Sequence, residues 1–189
     1  MELGIELTGS TPIVMHNPRL ADPLDQMSKE IAKISKKTRK TEDDHAELSR
    51  LEWLGGLYTD NGKIVLPTAN LRKCLVQTGR AFKLGRQIER SVYFREQLTN
   101  LLYQGPNDLQ ALYNTGLFTD RASVVVSGKR IIRVRPKFSP WRIETDVIIN
   151  ESLINPEDFE RILTLAGQVE GLCDARNIGY GRFEAEIIM

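Results

Sequence analysis

The sequence predicts an α+β chain, an antiparallel sheet with helices over one face, on three observations. Residues 2–7, 141–149 and 183–187 alternate apolar and polar side chains, the period of two that marks a strand covered on one side. Residues 71–82 and 159–169 instead repeat at three and four, the spacing of a helix with one buried stripe. The two patterns interleave as strand, helix, hairpin, further strands, then strand–helix–strand, with no internal repeat.

In order, Leu3, Ile5 and Leu7 alternate with Glu2, Gly4 and Glu6 to open the sheet. Thr8 to Pro12 break that pattern, and Pro18 and Pro23 keep the loop irregular to about Asp22. From Leu24 to Gly55 the composition shifts to charged helix formers. Two helices are expected there, the first with only a narrow stripe of Leu24, Met27, Ile31 and Ile34, the second begun by a Thr41/Asp44 capping box and stopped by Gly55-Gly56. Asn61-Gly62 signals a hairpin over 57–65, because both residues tolerate positive φ. After Pro67 and Thr68 a helix buries Leu71, Cys74, Leu75, Thr78 and Phe82. Short strands at 92–94 and 101–103 and a brief helix after Gly105-Pro106 fill the next stretch. A second hairpin runs through 122–126, Ser127-Gly128 and 129–135, closed by Pro136 and Pro140. Asn155 and Pro156 start a helix that buries Phe159, Ile162, Leu163, Ala166 and Val169 and ends at Gly171. A glycine-containing loop then leads into the last strand.

At 189 residues, 41% hydrophobic and 27% charged, the chain has the size and apolar content of one domain with a core, which excludes a wholly disordered protein. No apolar run approaches the roughly 20 residues of a membrane helix, and Met1-Glu2-Leu3-Gly4 lacks signal-peptide character, so a cytoplasmic location and no membrane partner are expected. Cys74 and Cys173 stand apart from each other and from His16 and His45, so no metal site, cofactor or disulfide framework is expected.

The net charge of +1 hides an asymmetry: residues 144–189 carry ten carboxylates against Arg161, Arg176 and Arg182, leaving +8 on residues 1–143. Between Arg121 and Arg142 there are seven cations and no acidic residue: Arg121, Lys129, Arg130, Arg133, Arg135, Lys137 and Arg142. On a strand, Arg133 and Arg135 share a face and can meet successive phosphates, with Phe138 or Trp141 as a ring for a base. The alternative is an edge strand guarded by charge. A second series, Arg72, Lys73, Arg80, Lys83, Arg86, Arg90 and Arg95, is opposed by Glu89 alone. Single-stranded RNA is the partner these cations fit. In the loop before the last strand, Gly179 and Gly181 allow a close backbone approach to phosphate, with Arg176, Tyr180 and Arg182 beside them. An ordinary turn is the competing reading.

Leu66-Pro67-Thr68-Ala69-Asn70-Leu71-Arg72 resembles the motif that opens the first core helix of the repeat-associated RAMP superfamily. Ile178-Gly179-Tyr180-Gly181-Arg182-Phe183 resembles that superfamily's carboxy-terminal glycine-rich loop, and the opening strand with Leu7-Thr8-Gly9-Ser10 is a third likeness. The resemblance implies a ferredoxin-like, RNA-recognition-type core in a single RAMP-like domain over 1–189, with a helical insertion at about 24–54. That insertion is similar to the elaboration of CRISPR backbone subunits, which polymerise along guide RNA with further copies or other effector subunits. The arrangement is also similar to uncharacterised phage-encoded proteins, which supply no activity. The implied function is a non-catalytic RNA-binding subunit, with Arg72, Arg133, Arg135 and the Gly179–Arg182 turn meeting in one groove.

Two residues carry the catalytic alternative. Some RAMP processing enzymes use a histidine near the position of His16, which would serve as base in a metal-independent endoribonuclease. Some backbone subunits cleave target RNA through an aspartate in the loop after the first strand, where Asp22 stands; the competing role of Asp22 is to cap the next helix. A third reading keeps the fold as a phage protein-interaction module that binds through its acidic carboxy-terminal third.

Overall fold

The computed structural model describes residues 1–126 and 128–188. In chain order its elements are β1 (Glu2–Gly9), β2 (Ile13–Val14), a 3-10 turn at Pro18–Ala21, α1 (Gln26–Ser35), α2 (Glu42–Gly56), β3 (Thr59–Asp60), β4 (Lys63–Pro67) and α3 (Thr68–Arg80). There follow α4 (Gly85–Ser91), β5 (Val92–Phe94), β6 (Leu98–Asn100), β7 (Leu102–Tyr103), α5 (Leu109–Asn114), β8 (Thr119–Val126), β9 (Lys129–Phe138), β10 (Trp141–Ile149), α6 (Pro156–Leu165) and β11 (Phe183–Ile188). The chain forms two compact units, one of Met1–Ile13, Thr59–Gln104 and Ser139–Met189, the other of Val14–Tyr58 and Gly105–Phe138.

The first unit holds an antiparallel sheet in the order β11-β1-β10-β5, with β7 also on β10. Its core strands and helices run β1-α3-β5-β10-α6-β11, with the opening strand between the last and the third, which is the ferredoxin-like, RNA-recognition-type topology. Leu7, Ile143, Val147 and Phe183 point to one face, covered by the buried stripes of α3 (Leu71, Cys74, Leu75) and α6 (Phe159, Ile162, Leu163). Each such side chain is worth about 1.5–3 kcal/mol out of water, so the period of two in the strands and that of 3.6 in the helices are consequences of one shared core. The other face remains open.

In the second unit the capping box forms as read, Thr41 Oγ1 accepting from Asp44 N and Asp44 Oδ2 from Thr41 N. Trp53 of α2 is fully buried, stands 5.4 Å from the Tyr113 ring, and donates its indole N–H to Phe118 O at 2.8 Å. β8 and β9 form the second hairpin from Thr119↔Pro136 to Val126↔Lys129, so Pro136 lies within the ladder rather than closing it. Ser127 of the expected turn lies outside the described residues; Gly128 has φ 77°.

Three local expectations are corrected. Asp25, not Asp22, caps α1, accepting from Ser28 N at 3.1 Å, while Asp22 closes a short turn onto Leu24 N at 2.8 Å. Phe82 is 41% exposed because α3 stops at Arg80, and Arg161 lies 5.1 Å over its ring. Val169 is 58% exposed because residues 166–170 form a π-helical turn closed by Gly171 N to Ala166 O, and the added residue per turn rotates Val169 off the buried stripe.

Candidate nucleic-acid interface

The glycine-rich loop is built by turns that only certain backbones adopt. Gly179 and Gly181 have φ of 94° and 71°, and Cys173 and Ala175 are also left-handed. A Cβ on Gly181 would stand 2.1 Å from Leu172 O, so no other residue fits. The amides do not point outward as expected: Gly179 N donates to Arg176 O and Gly181 N to Pro12 O, while Thr11 Oγ1 donates to Gly179 O and accepts from Arg182 N. These groups are spent on holding the loop, and the glycines supply conformation rather than phosphate contacts. Tyr180 is half-buried, its amide directed at Ala175 O.

What the loop presents is side chains. Arg182 Nη2 donates to Arg176 O at 3.2 Å, and Arg182 Nη1 is buried with no hydrogen-bond partner among the described residues. Both arginines line a cavity of about 430 Å³ with Glu170, Cys173, Asp174 and Asn177, where Arg176 pairs with Glu170 at 2.6 Å. A buried guanidinium N–H without an acceptor is costly. Burial pushes the Cys173 thiol strongly upward, so at neutral pH it is a neutral wall and no nucleophile.

From this cavity a polar stripe continues along α3. Asn70 Nδ2 lies 3.8 Å from Cys173 Sγ, and Lys73, Gln77 and Arg80 follow at helical spacing, all three exposed. Arg80 Nη1 reaches Gln77 Oε1 at 3.0 Å; Lys73 has no ion pair among the described residues. Asn70 to Arg80 spans about 15 Å of helix, room for two or three nucleotides. Arg72, by contrast, points away from this stripe and donates to Glu89 O and Val92 O, tying down the end of α4.

In the second unit the hairpin cations divide. Arg135 is buried and pairs with Asp120 through Nε at 3.0 Å and Nη2 at 2.6 Å. Arg133 pairs with buried Glu52 at 3.0 Å, and the other Glu52 oxygen accepts from Val134 N at 3.1 Å. The expected phosphate pair is therefore engaged by carboxylates from outside the acid-free segment. Lys129, Arg130 and Arg121 are exposed and Lys137 half-exposed, with no ion pair among the described residues. The expected aromatic platform is also absent from the surface: Phe138 is fully buried against Phe118, and Trp141 is 2% exposed, donating to Thr11 O at 2.8 Å. Arg121 lines a cavity of about 380 Å³ with His45, Glu42 and Tyr113, a concavity invisible in sequence because it joins α2, α5 and β8.

His16 is exposed in the loop after β2, its carbonyl accepting from Tyr58 Oη at 3.4 Å, and Asp22 is exposed in its turn, accepting from Leu24 N at 2.8 Å. Among the described residues no three His, Cys, Asp or Glu side chains are grouped to hold a metal ion. No helix among them is long and apolar enough to cross a membrane.

No protein-family model and no curated protein matches the sequence. Solved structures do match by fold. A chain of the Type III-B Cmr-beta complex bound to cognate target RNA superposes with a TM-score of 0.58 at 14% identity, covering 99% of this chain and 60% of its own length. A chain of a Type IV-B CRISPR complex superposes with a TM-score of 0.51 at 9% identity, covering 100% of this chain and 90% of its own. This chain thus spans under two thirds of the Cmr-beta chain, and what it shares with both is the α+β fold of CRISPR-complex subunits.

Proposed function

We propose that this chain is a non-catalytic RNA-binding subunit, a single RAMP-like domain that assembles along guide or other single-stranded RNA in a CRISPR-type ribonucleoprotein. One observation carries the reading: Arg176 and Arg182 line the loop cavity, from which Asn70, Lys73, Gln77 and Arg80 continue as a polar track. A phosphate in the cavity meets the guanidinium charge of Arg176 and Arg182, and the following nucleotides run along α3 past Lys73 and Arg80. The solved neighbours belong to CRISPR assemblies, one bound to RNA, which supports the same partner class.

The test is titration of nuclease-treated protein with labelled single-stranded RNA over a range of salt. Arg182→Gln and Lys73→Ala are each expected to weaken binding and to reduce the slope of log K against log salt by about 0.7, one single-strand phosphate contact. Arg133→Ala, whose guanidinium Glu52 already holds, is expected to leave the slope unchanged. Wild-type protein that binds no RNA at low salt, or variants with an unaltered slope, would refute this site.

A further inference from the structure

The cavity at the glycine-rich loop carries more than positive charge. Among the described residues its charged lining is Arg176 and Arg182 against Glu170 and Asp174, a formal balance of zero. Glu170 is taken up by Arg176 at 2.6 Å, and Arg182 Nη2 donates to Arg176 O at 3.2 Å. Asp174 is the second carboxylate on the wall, half-buried between Cys173 and Ala175, which hold φ of 62° and 58°. Non-glycine residues at such angles are uncommon, and two of the four among the described residues flank this one side chain.

A site for phosphate alone gains from net positive charge and has no use for a second carboxylate, which offers acceptors only and repels the anion. Guanidinium and carboxylate in one pocket suit a ligand that brings an acceptor and a donor together. On an RNA strand that unit is the ribose-phosphate, whose phosphate oxygens accept from arginine and whose 2′-hydroxyl donates to a carboxylate. DNA has the first group and lacks the second. The volume of about 430 Å³ lies within the roughly 300–1,000 Å³ of small-ligand sites, so a sugar is accommodated as well as a phosphate. Lys73 and Arg80 on α3 meet the phosphates of either nucleic acid and carry no such preference.

We infer that Asp174 accepts a hydrogen bond from the 2′-hydroxyl of a nucleotide whose phosphate lies against Arg176 and Arg182, and so makes this site selective for RNA over DNA. The inference rests on the RNA site proposed above and adds the residue that reads the sugar. Removing the Asp174 carboxylate then acts in opposite directions on the two ligands: RNA loses a charge-assisted hydrogen bond, and DNA loses a repulsion.

The test compares short single strands of one sequence in all-ribose, all-deoxy and all-2′-fluoro form, titrated at low salt into protein freed first of RNA and then of nuclease. The 2′-fluoro strand keeps the sugar pucker of RNA but has no hydroxyl to donate. Wild-type protein is expected to bind RNA about tenfold or more tightly than either other strand, the worth of one hydrogen bond to a charged group. Asp174→Ala is expected to bring the three affinities within about threefold of one another, through weaker RNA binding with DNA binding unchanged or tighter. Asp174→Asn, of the same shape and with one acceptor kept, is expected to fall between. The ratio of affinities is the readout, because damage to the loop lowers all three together and leaves the ratio intact. Wild-type protein that binds the RNA and 2′-fluoro strands alike, or variants that keep the full wild-type ratio, overturns the inference while the RNA site stands. Wild-type protein that binds none of the three strands refutes the RNA site itself, and this inference with it.

Discussion

At the scale of single residues, Gly9, at the end of β1, is tightly constrained. A Cβ there would stand 2.2 Å from Trp141 Nε1, and the indole cannot retreat because it is buried and bonded to Thr11 O. Gly9→Ala is therefore expected to destabilise the protein by about 1–3 kcal/mol, the usual cost of overpacking, read as a lowered thermal midpoint. Gly128, where a Cβ meets nothing within 4 Å, is constrained only by its positive φ. Arginine shows the same dependence on surroundings. Arg72, Arg133 and Arg135 look alike in sequence to Lys73 and Arg80, yet the first three are bound to carbonyls or carboxylates of the fold. Residue type announces charge, and only its neighbours settle whether that charge is available.

At the scale of elements, the β8–β9 hairpin depends on α2. Glu52 accepts from Arg133 Nη1 with one oxygen and from Val134 N with the other, stapling strand to helix. Glu52→Ala leaves a buried backbone donor unpaired and is expected to cost about 1–3 kcal/mol, with faster hydrogen exchange at Val134. Glu52→Gln, which keeps an acceptor, is expected to lose less. Helices and hairpins were legible where the signal is local: Thr41 and Asp44 close their box within four residues, and Asn61-Gly62 takes φ of 47° and 78°. Phe82 and Val169 were not, because a chain end and a π-helical turn change the phase of a periodic pattern without changing its composition.

At the scale of the whole molecule, buried thiols tie folding to alkaline pH. Burial, with Glu170 adding to it, pushes Cys74 up from 9.0 to about 12. The folded state thus favours the protonated thiol: its contribution to stability is full below pH 9.0 and is lost as pH rises toward about 12, because the unfolded chain releases the proton first. Denaturant unfolding from pH 8 upward is expected to show falling stability, and the fall is expected to be shallower in Cys74→Ala at whatever lower starting stability its cavity leaves. Net charge also acquires meaning only here. The acidic carboxy-terminal part contributes four of the six carboxylates on one sheet face, Glu144, Asp146, Glu184 and Glu186, an arrangement set by the pairing of β1 with β10 and β11.

Fold class, the main strands and helices, the Thr41/Asp44 and Asn155 caps and the glycine loop could be read along the chain, because each follows from spacing, backbone preference or side-chain period within a dozen residues. Which cations remain free, that the loop amides turn inward, and that the open sheet face is acidic could not, because each depends on partners distant in sequence: Glu52 for Arg133, Pro12 for Gly181, Glu186 for Glu6. Electrostatic and hydrogen-bond energies fall off within a few ångströms, so a charge's role is set by what the folded chain places beside it.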